Sequence, residues 1–546
     1  MSDIPFAVSQ VAQVAIQAIN ASATLSAGGT GGISVFGGAV VSEYGQPFQL
    51  LRIDKDNWKR ILGAPYHPSF GAIADPLRQL SDAVKGGDGY VVRVVSEDAK
   101  YPVATISKPA AAKGAKSAPA EAPQLLQGEG EPTDERLVAT TSAQPYSTAL
   151  KLAEGALFAI YPKDGNVTGR SIEIRAIKDK AGSFTLTLTD TDKFGIEFVV
   201  EEHEISFDFD TVDDMGAPTY IESRLESRST ALAVTVSSGA DFSTFPGVKK
   251  VKFTGGTLGD QTKISPAQYQ KAFALLRSSL TGFTAMLGLG IYDADLIAEI
   301  GKLAEGRRID AFADIPPYKS YAEALEFMSG MNINNHRLSM YHFPYSAKDP
   351  HFSGARAVWG LSGVAFAAKA TGVALTTGTV GGWHYSPAGE DRAIIDRREM
   401  RELPGVGEPD EKAMYKARIN KLGLATTGQL MIDDAITCRT AEDYLRFQHV
   451  SSVMDAISRS FYDLARSLKH SPDGLTREGL YDGMKLRLDG FVTATALVPP
   501  RNPEEDGESP YVLKVEQVEI DLWEVSWACC VTGSSRRIVG KPALIR

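Results

Sequence analysis

The chain reads as a multidomain α+β protein: a discontinuous α/β core with an inserted β-rich domain and extended terminal arms. Three observations predict this. At 546 residues with 43% hydrophobic and 23% charged content, the chain can fill more than one core, roughly three or four domains of ordinary size. Segments of alternating helix and strand pattern flank a run of short alternating strands. Two apolar stretches at the ends have no local core to join.

The order of elements gives the boundaries. Residues 1–32 form an arm in which FAVSQVAQVAIQAIN fits both the helical and the strand period, followed by the hinge-permitting glycines of SAGGTGGISVFGG. Asp3 stands where a basic n-region belongs, so Phe6 to Ile19 is read as an arm and not an export signal. Residues 33–98 open the core: strand FQLLRI, a helix over 57–62, a helix over 72–84, then strand YVVRVV from Tyr90 to Val95. Residues 99–145 are a low-complexity surface linker, since the Ala-, Pro-, Gly- and charge-rich stretch between Ser107 and Gln144 cannot bury enough apolar surface to order itself.

An inserted β-rich domain follows over 146–252, with strands SIEIRAI, FTLTLTD, IEFVVEE, ISFDFD and ALAVTVS. Residues 253–424 return to the core, with helices over 266–280, 294–305, 321–328 and 354–370 and strands IDAFADI and HRLSMYHF, the pattern of βαβ units and a mostly parallel sheet. The last domain, 425–546, has a strand near Gln429, a long helix over 441–468, a helix over 477–489, strand-like FVTATALV, YVLKVEQVEI and LWEVSWACCV, and the tail RRIVGKPALIR.

Charge and composition exclude several function classes. The net charge of −10, from 57 basic and 67 acidic residues, argues against a grip on nucleic acid, which calls for a basic excess. No run of 18 apolar residues crosses a membrane. Cys438, Cys529 and Cys530 offer no disulfide framework, because neighbours in sequence rarely satisfy disulfide geometry.

Catalytic signatures are also wanting. GLSG (Gly360 to Gly363) lacks one residue of the nucleophile-elbow pattern, so Ser362 is read as helix packing. His336, His342 and His351 sit in no zinc spacing, and His342 is read as a core or edge residue. GGTGG (Gly28 to Gly32) lacks the Lys-Ser/Thr of a phosphate loop. Asp433 and Asp434, Glu504 to Asp506, and the His384 to Arg392 stretch are read as loop charge. The reading is therefore not an enzyme, with no catalytic residue, no metal and no cofactor. The rivals kept open are an α/β enzyme with an unrecognised site and a receptor-binding or adhesin module.

A collinear set of patterns points elsewhere. GGAVVSEYGQPFQLLRIDKDNWKRILGAP is followed by PLRQLSDAVKGGDG and YVVRVV. Further on come FTGGTLGD (Phe253 to Asp260) leading into SPAQYQKAF, GVAFAAKATG leading into WHYSPAGEDR (Trp383 to Arg392), and YLRFQHVSSVMDAISRSFYDLA. In this order they resemble the contractile phage tail sheath protein family; TTGQLMIDDAITCRT stands where that family usually has a tryptophan-rich segment.

The resemblance implies a structural subunit that polymerises as stacked hexameric rings around an inner tube and contracts to drive the tube through a cell envelope. Neighbours would be linked by strand exchange through Phe6, Val8, Val11 and Val14 of the N-terminal arm and Ile538, Val539 and Leu544 of the tail, added to an open sheet of YVLKVEQVEI and LWEVSWACCV. It further implies that Arg446, Arg459, Arg466 and Lys469 face the tube. Its partners would be the chain itself, the inner tube protein, and baseplate and tail terminator proteins, without nucleic acid or membrane insertion. Its place would be the virion tail, after assembly in the host cytoplasm.

Overall fold

The computed structural model describes residues 33–108, 137–146, 150–167, 169–178, 180–192, 194–376 and 380–534. Two compact units emerge. The first comprises Met1–Ser42, Phe48–Val94 and Pro266–Arg546; the second comprises Glu43–Pro47 and Val95–Ser265. Phe6, Val8, Val11, Val14, Ile538, Val539 and Leu544, expected to exchange strands, lie outside the described residues.

The first unit is built on a seven-stranded sheet. From edge to edge it runs Ile419–Asn420, Leu338–Tyr341, Asp310–Asp314, Ala285–Leu287, Phe36–Val41, Gly89–Val94 and Leu50–Ile53. Every neighbouring pair is parallel except the last. FGGAVV is buried at every position, the continuous apolar run expected of a strand covered on both faces. Phe36, Leu287 and Phe312 share one core with Leu77 and Leu80 of helix Pro76–Ala83 and Phe366 of helix Ser362–Ala374.

Local signals set the helix ends. Asp293 caps helix Ala294–Arg307 by accepting from the Leu296 N–H at 3.0 Å, and Ser320 with Glu323 forms a capping box ahead of Tyr321–Met331.

Several boundaries differ from the sequence reading, each for a local reason. The helix expected over 354–370 spans Ser362–Ala374, because the Asp314 carboxylate accepts from the N–H groups of Leu361 (2.6 Å) and Ser362 (3.1 Å) and fixes its start there. Arg356–Val358 ahead of it is a short strand. The helix expected from Ala441 begins at Gln448, since Phe447 is extended and bridges to Ile436. FVTATALV is not a strand: the helix Asp473–Thr493 runs into it with Phe491 in its core, and only Leu497 makes a bridge, to Val531. The helix expected over 72–84 is a 3-10 turn, Pro68–Ala74, followed by Pro76–Ala83 with proline at its first position.

The second unit packs two four-stranded antiparallel sheets on a shared core. One orders Leu232–Val236, Ala156–Pro162, Lys100–Ser107 and Val138–Pro145; the other orders Val248–Lys252, Ser171–Ala176, Ser183–Thr191 and Glu197–Ser206. Between them Phe158, Phe184, Phe207, Phe242 and Phe245 form an aromatic cluster, with Phe207 and Phe242 stacked at 4.1 Å. The linker expected over 99–145 is narrower than its composition suggests, because Lys100–Ser107 and Val138–Pro145 pair over their full length. The strands expected separately in IEFVVEE and ISFDFD are one, Glu197–Ser206.

Candidate assembly surface

The C-terminal part of the first unit begins with a helical pair. Helices Gln448–Leu468 and Asp473–Thr493 are joined by four residues, which turns the second back along the first. Val453, Ile457, Phe461 and Leu464 meet Leu480, Met484, Leu488 and Phe491, an apolar stripe at helical spacing. On this pair sits a hairpin of Tyr511–Glu519 and Leu522–Cys529.

Strand alternation divides the hairpin into two faces. Tyr511, Leu513, Val515, Trp523, Val525, Trp527 and Cys529 pack on the helical pair. Trp527 lies 5.1 Å from the Phe461 ring, and the Tyr511 hydroxyl donates to Asp489 at 2.5 Å. Burial pushes the Cys529 thiol up to about 12, which keeps it protonated and inert. The other face carries Val512 opposite Ala528, Lys514 opposite Ser526 and Glu516 opposite Glu524.

Among the described residues no third strand joins this sheet. Beyond Cys529 the chain is held against residues 496–498, where Val498 N–H donates to Cys530 O and Thr532 N–H to Ala496 O, both at 3.0 Å. The hairpin therefore has a fixed seat and, among the described residues, two edges whose backbone groups have no strand partner.

The long helix is fixed to the parallel sheet by charge. Ser452, Asp455 and Arg459, spaced three and four apart, share one buried face. Ser452 donates to Asp310 at 3.0 Å, and Arg337 grips Asp455 with two hydrogen bonds of 2.6 and 2.7 Å. The Arg459 guanidinium donates to the Arg308 carbonyl and lies 5.0 Å from the Trp383 ring. Lys369, buried in the small-residue helix, donates to the carbonyls of Trp383 at 2.5 Å and Tyr385 at 2.9 Å, and burial brings its ammonium down to about 8. The WHYSPAGEDR loop thus ties helix 362–374 to helix 448–468.

This arrangement corrects half of the expected cationic face. Arg459 is 4% exposed and Arg446 6% exposed. Arg446 lies in the turn before the helix, 4.7 Å from the Tyr415 ring and 3.3 Å from Glu442. Arg466 and Lys469 are exposed at the helix's C-terminal end. The sequence reading missed Asp455, Arg337 and Lys369; the 452–455–459 spacing was the available signal, but Asp455 and Arg337 stand 118 residues apart, and Lys369 bonds to backbone carbonyls, which no residue type betrays.

The residues weighed for catalysis are held in structural contacts. Ser362 is fully buried and donates to Gln79 at 2.7 Å. A Cβ at Gly363 would fall 2.0 Å from the Gln79 carbonyl oxygen, so GLSG marks a close helix approach. His342 is bonded to the Lys319 carbonyl at 3.0 Å, and burial pulls its imidazole down to about 4. Asp433 faces Lys421 at 3.4 Å, and Glu390 accepts from Thr426. Among the described residues no three His, Cys, Asp or Glu side chains converge as metal ligands, and no helix is long and apolar enough to cross a membrane.

No protein-family model and no curated protein matches the chain. Solved structures do. The chain is similar to a sheath tail protein from Desulfitobacterium hafniense, at 13% identity and a TM-score of 0.46, covering 91% of this chain and 96% of that one. It is similar to a chain of the anti-feeding prophage baseplate at 13% identity and a TM-score of 0.37, over 55% of this chain and 77% of that one. It is similar to a chain of the sheath complex of an extracellular contractile injection system in its contracted state at 13% identity and a TM-score of 0.39, over 50% and 74% of the two chains.

Proposed function

We infer that the chain is the structural subunit of a contractile tail sheath, which polymerises as stacked hexameric rings around an inner tube. The observation that carries this reading is the C-terminal hairpin, seated by one face on the helical pair and, among the described residues, joined by no further strand at either edge. Such a sheet takes up a strand from another chain through backbone hydrogen bonds, and its seat fixes where that strand lies. The apolar residues Phe6, Val8, Val11 and Val14 toward one end of the sequence and Ile538, Val539 and Leu544 toward the other would supply the added strands. The collinear glycine, proline and apolar patterns support the same assignment along nearly the whole chain.

In this reading no covalent bond is broken. The extended sheath is a metastable packing, and contraction is the passage of its interfaces to a second packing with more contact while the exchanged strands keep neighbours joined. Arg466 and Lys469, exposed at the end of the long helix, would meet acidic residues of the tube. The baseplate and a tail terminator would bound the polymer, which assembles in the host cytoplasm and resides in the virion tail.

Negative-stain electron microscopy at rising concentration tests this. Hollow striated cylinders are expected from the full chain, and dispersed protein from a chain lacking residues 1–22. A full chain that stays monomeric at every concentration, even with tube protein supplied, overturns the reading and brings the α/β enzyme to the front.

A further inference from the structure

The second unit exposes apolar side chains in two clusters at opposite ends of one strand. Glu197–Ser206 is an edge strand, and its pairing with Ser183–Thr191 runs from Thr191 opposite Glu197 at one end to Ser183 opposite Ser206 at the other. Ten residues of strand separate these ends by about 30 Å. At the first end Phe194 is 77% exposed, Ile196 63%, Phe198 50% and Val199 57%; just past the second, Phe209 is 74% exposed, Val212 59% and Met215 95%. Singly exposed apolar residues need no explanation, but clusters of this kind mark interaction sites.

The charges around the two clusters differ in sign. At the first end the carboxylates are engaged: Asp190 by Arg170 at 3.1 Å, Asp192 by the N–H groups of Phe194 and Ile196 at 2.8 Å, and Glu197 by Lys250 at 2.5 Å. Lys252, paired through Ser171 and Thr189 with the row that holds Val199, is exposed there, and Lys249, exposed between Val248 and Val251 of the same strand, lies toward the row of Glu202; neither has an ion pair among the described residues. At the second end Arg224 is spent on Asp213 at 3.0 Å and Lys180 on Glu204 and Asp214, both at 3.1 Å. Asp208 and Asp210 stay exposed beside Phe209; Lys178 is exposed at this end too, and exposed Arg175 lies 2.8 Å from Glu173.

We propose that these clusters are the two halves of one contact between copies of this chain. The apolar, lysine-flanked end at Phe194, Ile196, Phe198 and Val199 docks on the apolar, aspartate-flanked end at Phe209, Val212 and Met215 of the next copy. Two different, complementary patches on one molecule make a heterologous contact, which propagates into rings or helices and does not stop at a dimer. Self-pairing of the first end is opposed by charge, since it would bring the exposed lysines of two copies together, like against like. Each half offers three or four side chains, well short of the roughly 800 Å² per partner that a free-standing complex buries. The contact therefore forms where other links already hold copies at high effective concentration. In that respect it rests on the sheath reading.

The test uses two full-length variants, Phe198→Cys and Val212→Cys, oxidised separately and as a mixture over the same concentration series, and read on non-reducing gels. A disulfide-linked dimer about tenfold more abundant in the mixture than in either variant alone is expected. Adding Lys249→Glu and Lys252→Glu to the first variant lowers it, and Asp208→Lys with Asp210→Lys in the second restores it. No dimer, or equal dimer in the separate samples, overturns the proposal. Cylinders by electron microscopy without the mixed cross-link sink this contact alone, whereas the cross-link without cylinders sinks the sheath reading and, with it, the dependence of this contact on other links.

Discussion

Replacing Asp455 by alanine leaves the Arg337 guanidinium buried without its counter-charge, since the two side chains are only 3% and 4% exposed. Burial pushes the Asp455 carboxyl up, but the Arg337 charge and hydrogen bonds outweigh it and hold it below the usual carboxylate range. Removing one member of such a pair costs about 3–5 kcal/mol, most of it the penalty of the orphaned charge. Asp455→Ala should lower the urea midpoint followed by tryptophan fluorescence, and Asp455→Ala combined with Arg337→Met should recover much of the loss.

Glu201 of the second unit makes a pH prediction. Burial raises its carboxyl, yet hydrogen bonds from His203, Ser229 and Thr230 prevail and bring it down to about 2. A carboxylate lowered on folding contributes its full stabilisation above its unfolded value, near 4.5, and loses it as pH falls toward 2; the shift corresponds to about 3 kcal/mol at most. Amide exchange in strand 197–206 should accelerate across that window, and Glu201→Gln should flatten the dependence. The residue types in both clusters were visible in the sequence. What they bond to was not, because Asp455 and Arg337 stand 118 positions apart and Glu201 and Thr230 stand 29 apart.

At the scale of elements, the helical pair beneath the hairpin depends on a close approach. A Cβ on Gly483 would sit 2.6 Å from Leu464 Cδ1. Glycine to alanine inside a helix gains about 1 kcal/mol from propensity, so on an open face Gly483→Ala would stabilise. Against Leu464 the sign reverses for larger side chains: Gly483→Val forces the helices apart at a cost of about 1–3 kcal/mol and moves the floor on which Leu513, Val515 and Trp527 rest. A lower melting temperature and a higher protein concentration for cylinder formation are the expected readouts; cylinders forming at the wild-type concentration would separate the hairpin's role from its seat.

Elements with a strong period were legible. Helix 294–307, strand 310–314 and the two hairpin strands stand close to where alternation and helical spacing put them. The misplaced ones were set by tertiary partners: the Asp314 carboxylate starts helix 362–374, and the Ile436 bridge holds Phe447 extended.

At the scale of the molecule, the chain leaves its first unit and returns to it. Phe36–Val41 pairs in parallel with Ala285–Leu287, so neighbouring strands of one sheet are separated in sequence by the whole second unit. Composition marked an insertion but misjudged its edge, because Lys100–Ser107 and Val138–Pro145 flank the low-complexity stretch and carry weak patterns of their own. Their pairing makes a direct prediction. Ser107 stands opposite Val138, so a two-residue hairpin turn of the Asn-Gly kind can join the strands.

Replacing residues 109–136 by such a turn, flanked by the native residues, shortens the connection roughly sevenfold and relieves about 1–2 kcal/mol of closure entropy if that stretch has no core of its own. The gain belongs to the second unit. All five tryptophans, Trp58, Trp359, Trp383, Trp523 and Trp527, lie in the first, so the tryptophan transition should stay in place while amide exchange in strands 100–107 and 138–145 slows about tenfold. Faster exchange in those strands would show that residues 109–136 contribute contacts their composition does not disclose. Loss of cylinder formation with unchanged exchange would instead assign the stretch to the contacts between copies.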